Sequence, residues 1–142
     1  NPRLTKTYRN LEHYGNPEKI LSDVEKQIRR RILLQTKTLI LTPRYLVELS
    51  DDICAIIPLP EVLWIYDHAA MRRTIKGRQL SYTIHVVTMK GEEYTLTGKS
   101  HREVSAIYHE LNTRYPNFFF GYSKEHQEMV QYVLHEMKNE KA

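Results

Sequence analysis

Between residues 38 and 97 the apolar side chains tend to recur at every second position, whereas on either side of that stretch they recur at three- and four-residue spacing. These are the periods of a strand and of a helix, and one segment cannot satisfy both at once. A chain patterned this way is α+β, with its strands consecutive rather than interleaved with helices. That order argues against the βαβ repeat of nucleotide-binding folds.

Within the alternating stretch, residues 38–42 read as a strand, Thr42-Pro43-Arg44 as a turn and residues 45–49 as the hairpin partner. Ser50-Asp51-Asp52 interrupts the pattern and residues 53–57 resume it. Pro58-Leu59-Pro60 then stops it, because proline cannot donate to a sheet ladder. Residues 62–67, centred on Leu63-Trp64-Ile65-Tyr66, are aromatic and β-branched, which suits a strand. Simple alternation puts Trp64 and Tyr66 on one face and Leu63, Ile65 and Asp67 on the other. A polar loop over 71–78 leads into the long alternation of residues 80–89. There Leu80, Tyr82, Ile84 and Val86 face one way, and Ser81, Thr83, His85 and Val87 the other. Lys90-Gly91-Glu92 makes a tight turn, and residues 93–97 return with Tyr94 and Leu96 inward. The expectation is an antiparallel meander of about six strands.

Three helices flank it. Residues 1–15 read as a polar lead-in without a clear period. Asn16-Pro17-Glu18 is a helix start, with Asn as N-cap, Pro at the first helical position and an acid in the first turn. Ile20, Val24 and Ile28 then form the apolar stripe, and Arg29-Arg30-Arg31 suits the negative end of the dipole. Ser100-His101-Arg102-Glu103 matches the capping box of a closing helix with Val104, Ile107, Tyr108 and Leu111 inward, stopping before Pro116. Phe118-Phe119-Phe120 reads as a short buried strand. Ser123 caps a last helix whose stripe is His126, Val130, Val133, Leu134 and Met137. Residues 16–142 are thus expected to form a single domain.

Composition narrows the context. At 142 residues, with 41% hydrophobic and 27% charged side chains, neither disorder nor a disulfide scaffold is indicated. The single cysteine, Cys54, sits in the apolar run 53–57, where a buried inert thiol is expected rather than a nucleophile. A single cysteine allows no intramolecular disulfide and no Asn-x-Ser/Thr acceptor occurs, both of which suit the cytoplasm; no apolar run of membrane-spanning length and no apolar h-region at the start are found. The chain opens on Asn1 rather than Met, so a processed or excised fragment is expected. The formal charge of +4 is compatible with anionic partners without demanding them.

Chemistry leaves little trace. None of the seven histidines has the spacing of a local chelate: His101 and His109 are two helical turns apart, and no H-x-x-x-H occurs. Asp67 and His68 are adjacent on a strand and so face apart, which prevents a relay. No Gly-x-Ser-x-Gly elbow and no glycine-rich phosphate loop is present. The chain is expected to be non-enzymatic, without metal or cofactor. The positive feature is electrostatic: Arg72, Arg73, Lys76 and Arg78 cluster between two strands. They suit an acidic protein or an anionic membrane surface; the plainer reading is a charged hairpin tip that keeps a sheet edge soluble. Nucleic acid is not expected, because the aromatics look core-directed rather than interleaved with the cations. Trp64 and Tyr66 are candidates to line a groove for a small ligand or an active site, set against an ordinary role in anchoring a helix on the sheet. Self-association is a further option.

Four short pieces carry a resemblance: Tyr14-Gly15-Asn16-Pro17, Thr42-Pro43-Arg44-Tyr45, Trp64-Ile65-Tyr66 and Phe120-Gly121-Tyr122-Ser123. Together they resemble uncharacterised membrane-associated bacterial proteins, mostly from Firmicutes, in which a soluble domain follows N-terminal transmembrane helices. The order of sheet then helix is similar to the pleckstrin-homology-like domains, a bent antiparallel sheet closed by a helix. The resemblance implies a cytoplasmic domain tethered to the cell membrane by a segment outside this chain. It implies no activity. The basic cluster lies in a later loop than the first hairpin, which departs from the lipid-binding pleckstrin pattern.

Overall fold

The computed structural model describes residues 2–49, 54–115 and 117–140. Among the described residues four helices and eight strands make it a mixed α+β structure. The expected break at Ser50-Asp51-Asp52, the start of a strand at Ile53 and the stop at Pro116 fall outside the described residues.

Local chemistry accounts for two helix starts directly. In α2 (Pro17–Arg30) the Asn16 side chain accepts from the backbone N–H of Glu18 and Lys19 at 3.0 and 3.3 Å, and Pro17 fills the first turn. In α3 (His101–Arg114) Ser100 and Glu103 exchange both bonds of a capping box, at 3.2 and 2.9 Å. The amino-terminal segment departs from its sequence reading. Instead of an irregular lead-in it forms helix α1 (Pro2–Leu11), with Thr7 and Leu11 buried one turn apart. The Thr7 hydroxyl donates to the Cys54 carbonyl at 2.5 Å. A polar residue at one of the two buried positions hides the helical period from hydropathy alone.

The strands divide into two sheets rather than one meander. The first has the order β1-β2-β3-β4, built from β1 (Leu34–Gln35), β2 (Leu39–Leu41), β3 (Tyr45–Leu49) and β4 (Cys54–Pro58), all antiparallel. A 3₁₀ turn over Leu59–Glu61, framed by Pro58 and Pro60, leads into the second sheet. Neither proline can donate to a ladder, so the break falls there. The second sheet has the order β7-β6-β5-β8, from β5 (Val62–Thr74), β6 (Gly77–Thr88), β7 (Glu93–Lys99) and β8 (Phe119–Phe120). Its last member runs parallel to β5, because α3 carries the chain back across the sheet.

The inner faces of both sheets share one core. Leu39, Leu41, Leu46 and Ile57 meet Ile65, Ile84, Val86 and Leu96, with Ile107 and Leu111 of α3 closing it. Each such side chain contributes roughly 1.5–3 kcal/mol when withdrawn from water. On the outer face of the first sheet, Ile40, Val47 and Ile56 pack against Leu11 and Val24 of the first two helices. On the outer face of the second, helix α4 (Lys124–Glu140) sets Val130 against Leu63, Trp64 and Val87. This helix starts where expected, with Ser123 Oγ accepting from the N–H of His126 at 3.0 Å.

One buried polar contact ties the sheets together. Lys99 on β7 reaches Glu48 on β3 at 2.6 Å and donates to Thr38 Oγ1 at 3.0 Å, and both ionic side chains are essentially without exposure. Next to it, Glu103 accepts from Thr36 Oγ1 at 2.8 Å.

Candidate functional site

The expected loop over 71–78 is a continuation of both strands. From Trp64↔Val87 to Thr74↔Gly77 the two strands pair residue for residue. The connection is only Ile75-Lys76, with Gly77 at φ +112°, a backbone conformation that glycine adopts without strain. β7 pairs with β6 no nearer the tip than Tyr82, and β8 pairs with β5 only at Trp64 and Ile65. The outer part of the hairpin is therefore a two-stranded ribbon. An isolated ribbon of that kind is marginally stable in water unless something packs on it.

The four predicted cations all lie on this ribbon. Arg73 stands directly opposite Arg78, Arg72 opposite Gln79, and Lys76 is in the turn. Like charges directly opposite on a ladder destabilise it, so the Arg73/Arg78 pairing does not serve folding. Among the described residues none of the four takes part in an ion pair. Three large apolar side chains are exposed beside them: Met71 at 60%, Leu80 at 54% and the tip residue Ile75 at 107%. Met71 and Leu80 are cross-strand partners, so they form one apolar spot on the face that also carries Arg73 and Arg78. Between the ribbon and the start of α3 lies an open cleft of about 680 Å³, lined by Arg72, Arg73, Lys76, Gln79, Ser81 and Ser100 among others. Lys99 and Glu103 also line it, but both are engaged in the buried network described above.

Trp64 is packed, whereas Tyr66 is half-buried. Trp64 is 6% exposed, and its indole N–H donates to the Gly121 carbonyl at 2.9 Å. Tyr66 lies 4.4 Å from it, and the exposed Tyr122 ring lies 6.1 and 5.5 Å from the two of them. A β-bulge between Val62 and Trp64 also changes the expected faces. The extra residue brings Leu63 beside Trp64 under α4, whereas Val62 and Ile65 face the shared core. Simple alternation cannot reveal this, because a bulge inverts the pattern without any sequence mark here. Burial, then the charge of Glu93, holds the Tyr66 hydroxyl above its usual range.

Further along the same face is a contact that residue spacing does not reveal. Tyr66 stacks on His85 at 4.6 Å between centroids, and His85 Nε2 lies 3.2 Å from His68 Nδ1. Burial first, and His68 second, push the His85 imidazole below its ordinary value. Asp67 points to the opposite face, where it accepts from the Tyr108 hydroxyl of α3. Burial first, and that contact second, raise the Tyr108 hydroxyl well above the usual tyrosine range. The signal for the histidine pair is the hairpin register, which becomes readable only once the turn is located at Ile75-Lys76.

Among the described residues no group of three or more His, Cys, Asp or Glu side chains is arranged to hold a metal ion. No described helix is long and apolar enough to cross a membrane. In comparisons with known proteins, residues 16–130 match the family described as Domain of unknown function (DUF6709). No curated protein and no solved structure matches the chain.

Proposed function

The chain belongs to the DUF6709 family, and we propose that it works by binding rather than catalysis, docking the tip of the β5–β6 ribbon on an anionic membrane surface. In this reading the two sheets closed by α3 are a bent, pleckstrin-homology-like unit. The unit is the cytoplasmic part of a membrane-anchored bacterial protein, and the ribbon holds it against the bilayer.

The observation that carries the reading is the company Ile75 keeps. A fully exposed isoleucine at a hairpin tip, with Met71 and Leu80 behind it and four cations around it, has no folding role. Apolar side chains that enter the interface, collared by Lys and Arg, are the composition of peripheral membrane elements. Each cation near an anionic leaflet contributes about 1 kcal/mol, so Arg72, Arg73, Lys76 and Arg78 together supply on the order of 4 kcal/mol before Ile75 is buried. An acidic protein would use the same charges but gives the exposed isoleucine no evident use. The rival reading, a ligand pocket or active site at Trp64 and Tyr66, has less to rest on, because Trp64 is packed under α4.

Liposome co-sedimentation tests this. The chain is expected to pellet with vesicles containing phosphatidylserine at low salt and to stay soluble with purely zwitterionic vesicles. Replacing the four cations with Gln, or Ile75 with Asp, should release it. Indifference to lipid charge and to salt would sink the proposal. Failure on lipid combined with salt-sensitive capture by an acidic protein would redirect it to a protein partner.

A further inference from the structure

We infer that His68 and His85 form a binding site for a late first-row divalent metal ion, Zn²⁺ or a similar one, on the outer face of the second sheet. The inference rests on geometry independent of the basic ribbon tip. Tyr66 stands opposite His85 in the β5–β6 register, so His68 is its diagonal neighbour and the two imidazoles project from the same face. Their facing nitrogens, His85 Nε2 and His68 Nδ1, are 3.2 Å apart. Two imidazole nitrogens bound to one ion at about 2.0–2.1 Å are separated by about 2.9 Å at a right angle and about 3.3 Å at the tetrahedral angle. The observed spacing falls between these limits, so the backbone need not move to seat an ion.

The His85 ring is also supported on one side. Tyr66 stacks on His85 with planes 14° apart, and Tyr66 is itself fixed against Trp64. The planes of His68 and His85 differ by 26° with ring centroids 5.1 Å apart, so the two rings lie nearly parallel. In the metal-free pair one nitrogen donates its hydrogen to the other. On binding, that donor changes tautomer, moving its hydrogen to the far ring nitrogen, and each imidazole turns by roughly 35° so that both lone pairs meet at a tetrahedral angle. The neutral pair then offers two ligands and loses no proton to solvent.

Imidazole suits Zn²⁺, Cu²⁺ and Ni²⁺ rather than Mg²⁺ or Ca²⁺, which seek oxygen. Among the described residues no third His, Cys, Asp or Glu completes the set. The remaining coordination positions therefore go to water or to a donor from outside the chain. His68 is exposed, so such a donor has access. With two protein ligands the site is open, unlike structural zinc sites with four protein ligands or catalytic ones with three.

Isothermal titration of the chain with Zn²⁺ in a non-chelating buffer tests the inference. One ion per chain should bind saturably, and His68→Ala or His85→Ala should each weaken binding at least about tenfold, the scale on which metal sites respond to lost support. His109→Ala, an exposed histidine on α3, should leave binding unchanged. Imidazole NMR signals of the unmodified chain supply a second readout, with those of His68 and His85 moving first on addition of Zn²⁺. The inference is overturned if saturable binding is absent, survives loss of both histidines, or falls equally with His109→Ala.

Discussion

Replacing Lys99 by Met is the most informative single perturbation of the fold, because it removes one charge while keeping most of the side-chain stem. Lys99 and Glu48 are fifty-one positions apart and join β7 to β3 across the shared core, with side-chain exposures of 0% and 1%. Their attraction at 2.6 Å offsets two desolvation penalties, and Thr38 takes a further hydrogen of the ammonium at 3.0 Å. Removing one partner strands the other charge in a low-dielectric interior. Such losses cost about 3–5 kcal/mol. A domain of this size has only about 5–15 kcal/mol to lose, so Lys99→Met should lower the melting temperature by on the order of 10 °C. The urea midpoint should fall in parallel with little change in slope. The double substitution Lys99→Met with Glu48→Leu should recover most of that loss, since a hydrophobic pair of similar volume avoids both penalties. Urea unfolding of the two single variants and the double variant measures the coupling directly. If Lys99→Met falls within about 1 kcal/mol of the unmodified chain, the pair is not the buried tie between sheets that its geometry implies.

Two further outcomes follow from the packing. Leu11 has no exposure in the cluster beneath α1, so Leu11→Ala should cost roughly 2–5 kcal/mol in urea unfolding; a loss under about 0.5 kcal/mol would mean that α1 does not pack as described. Burial holds the hydroxyls of Tyr45, Tyr94 and Tyr108 above their ordinary value of 10, reinforced by contacts with Asp23, Tyr14 and Asp67 respectively. Above pH 10 the unfolded chain therefore holds fewer protons than the folded one. The stability these groups contribute is complete below pH 10 and is lost as pH rises through their raised values. Ultraviolet titration should show a fraction of the ten tyrosines ionising only on alkaline unfolding, and uniform titration near pH 10 in the folded chain would contradict the burial.

What was legible in the sequence is what neighbours along the chain decide. Asn16-Pro17 and the Ser100/Glu103 box satisfy orphan N–H groups within a few residues, so α2 and α3 start where the residues say. Alternation over 80–89 and the turn at Lys90-Gly91-Glu92 likewise depend on local geometry. The basic residues were visible too, as a cluster. Their setting was not, because polar side chains in a free ribbon look like a loop when no buried face imposes a period.

The remaining features required contacts between distant segments. The helical state of α1 depends on Leu11 finding a pocket against the first sheet. The division into two sheets depends on where the segment after Pro60 finds partners, and the bulge that seats Leu63 beside Trp64 depends on register with β6. Lys99 meets Glu48, and His85 meets His68, only through pairings that no local spacing encodes. Chain-local rules determined which segments are helix and strand because they concern one hydrogen-bonded turn or one pleat. Tertiary structure decided which side chains meet, because register and packing are settled between segments far apart in sequence.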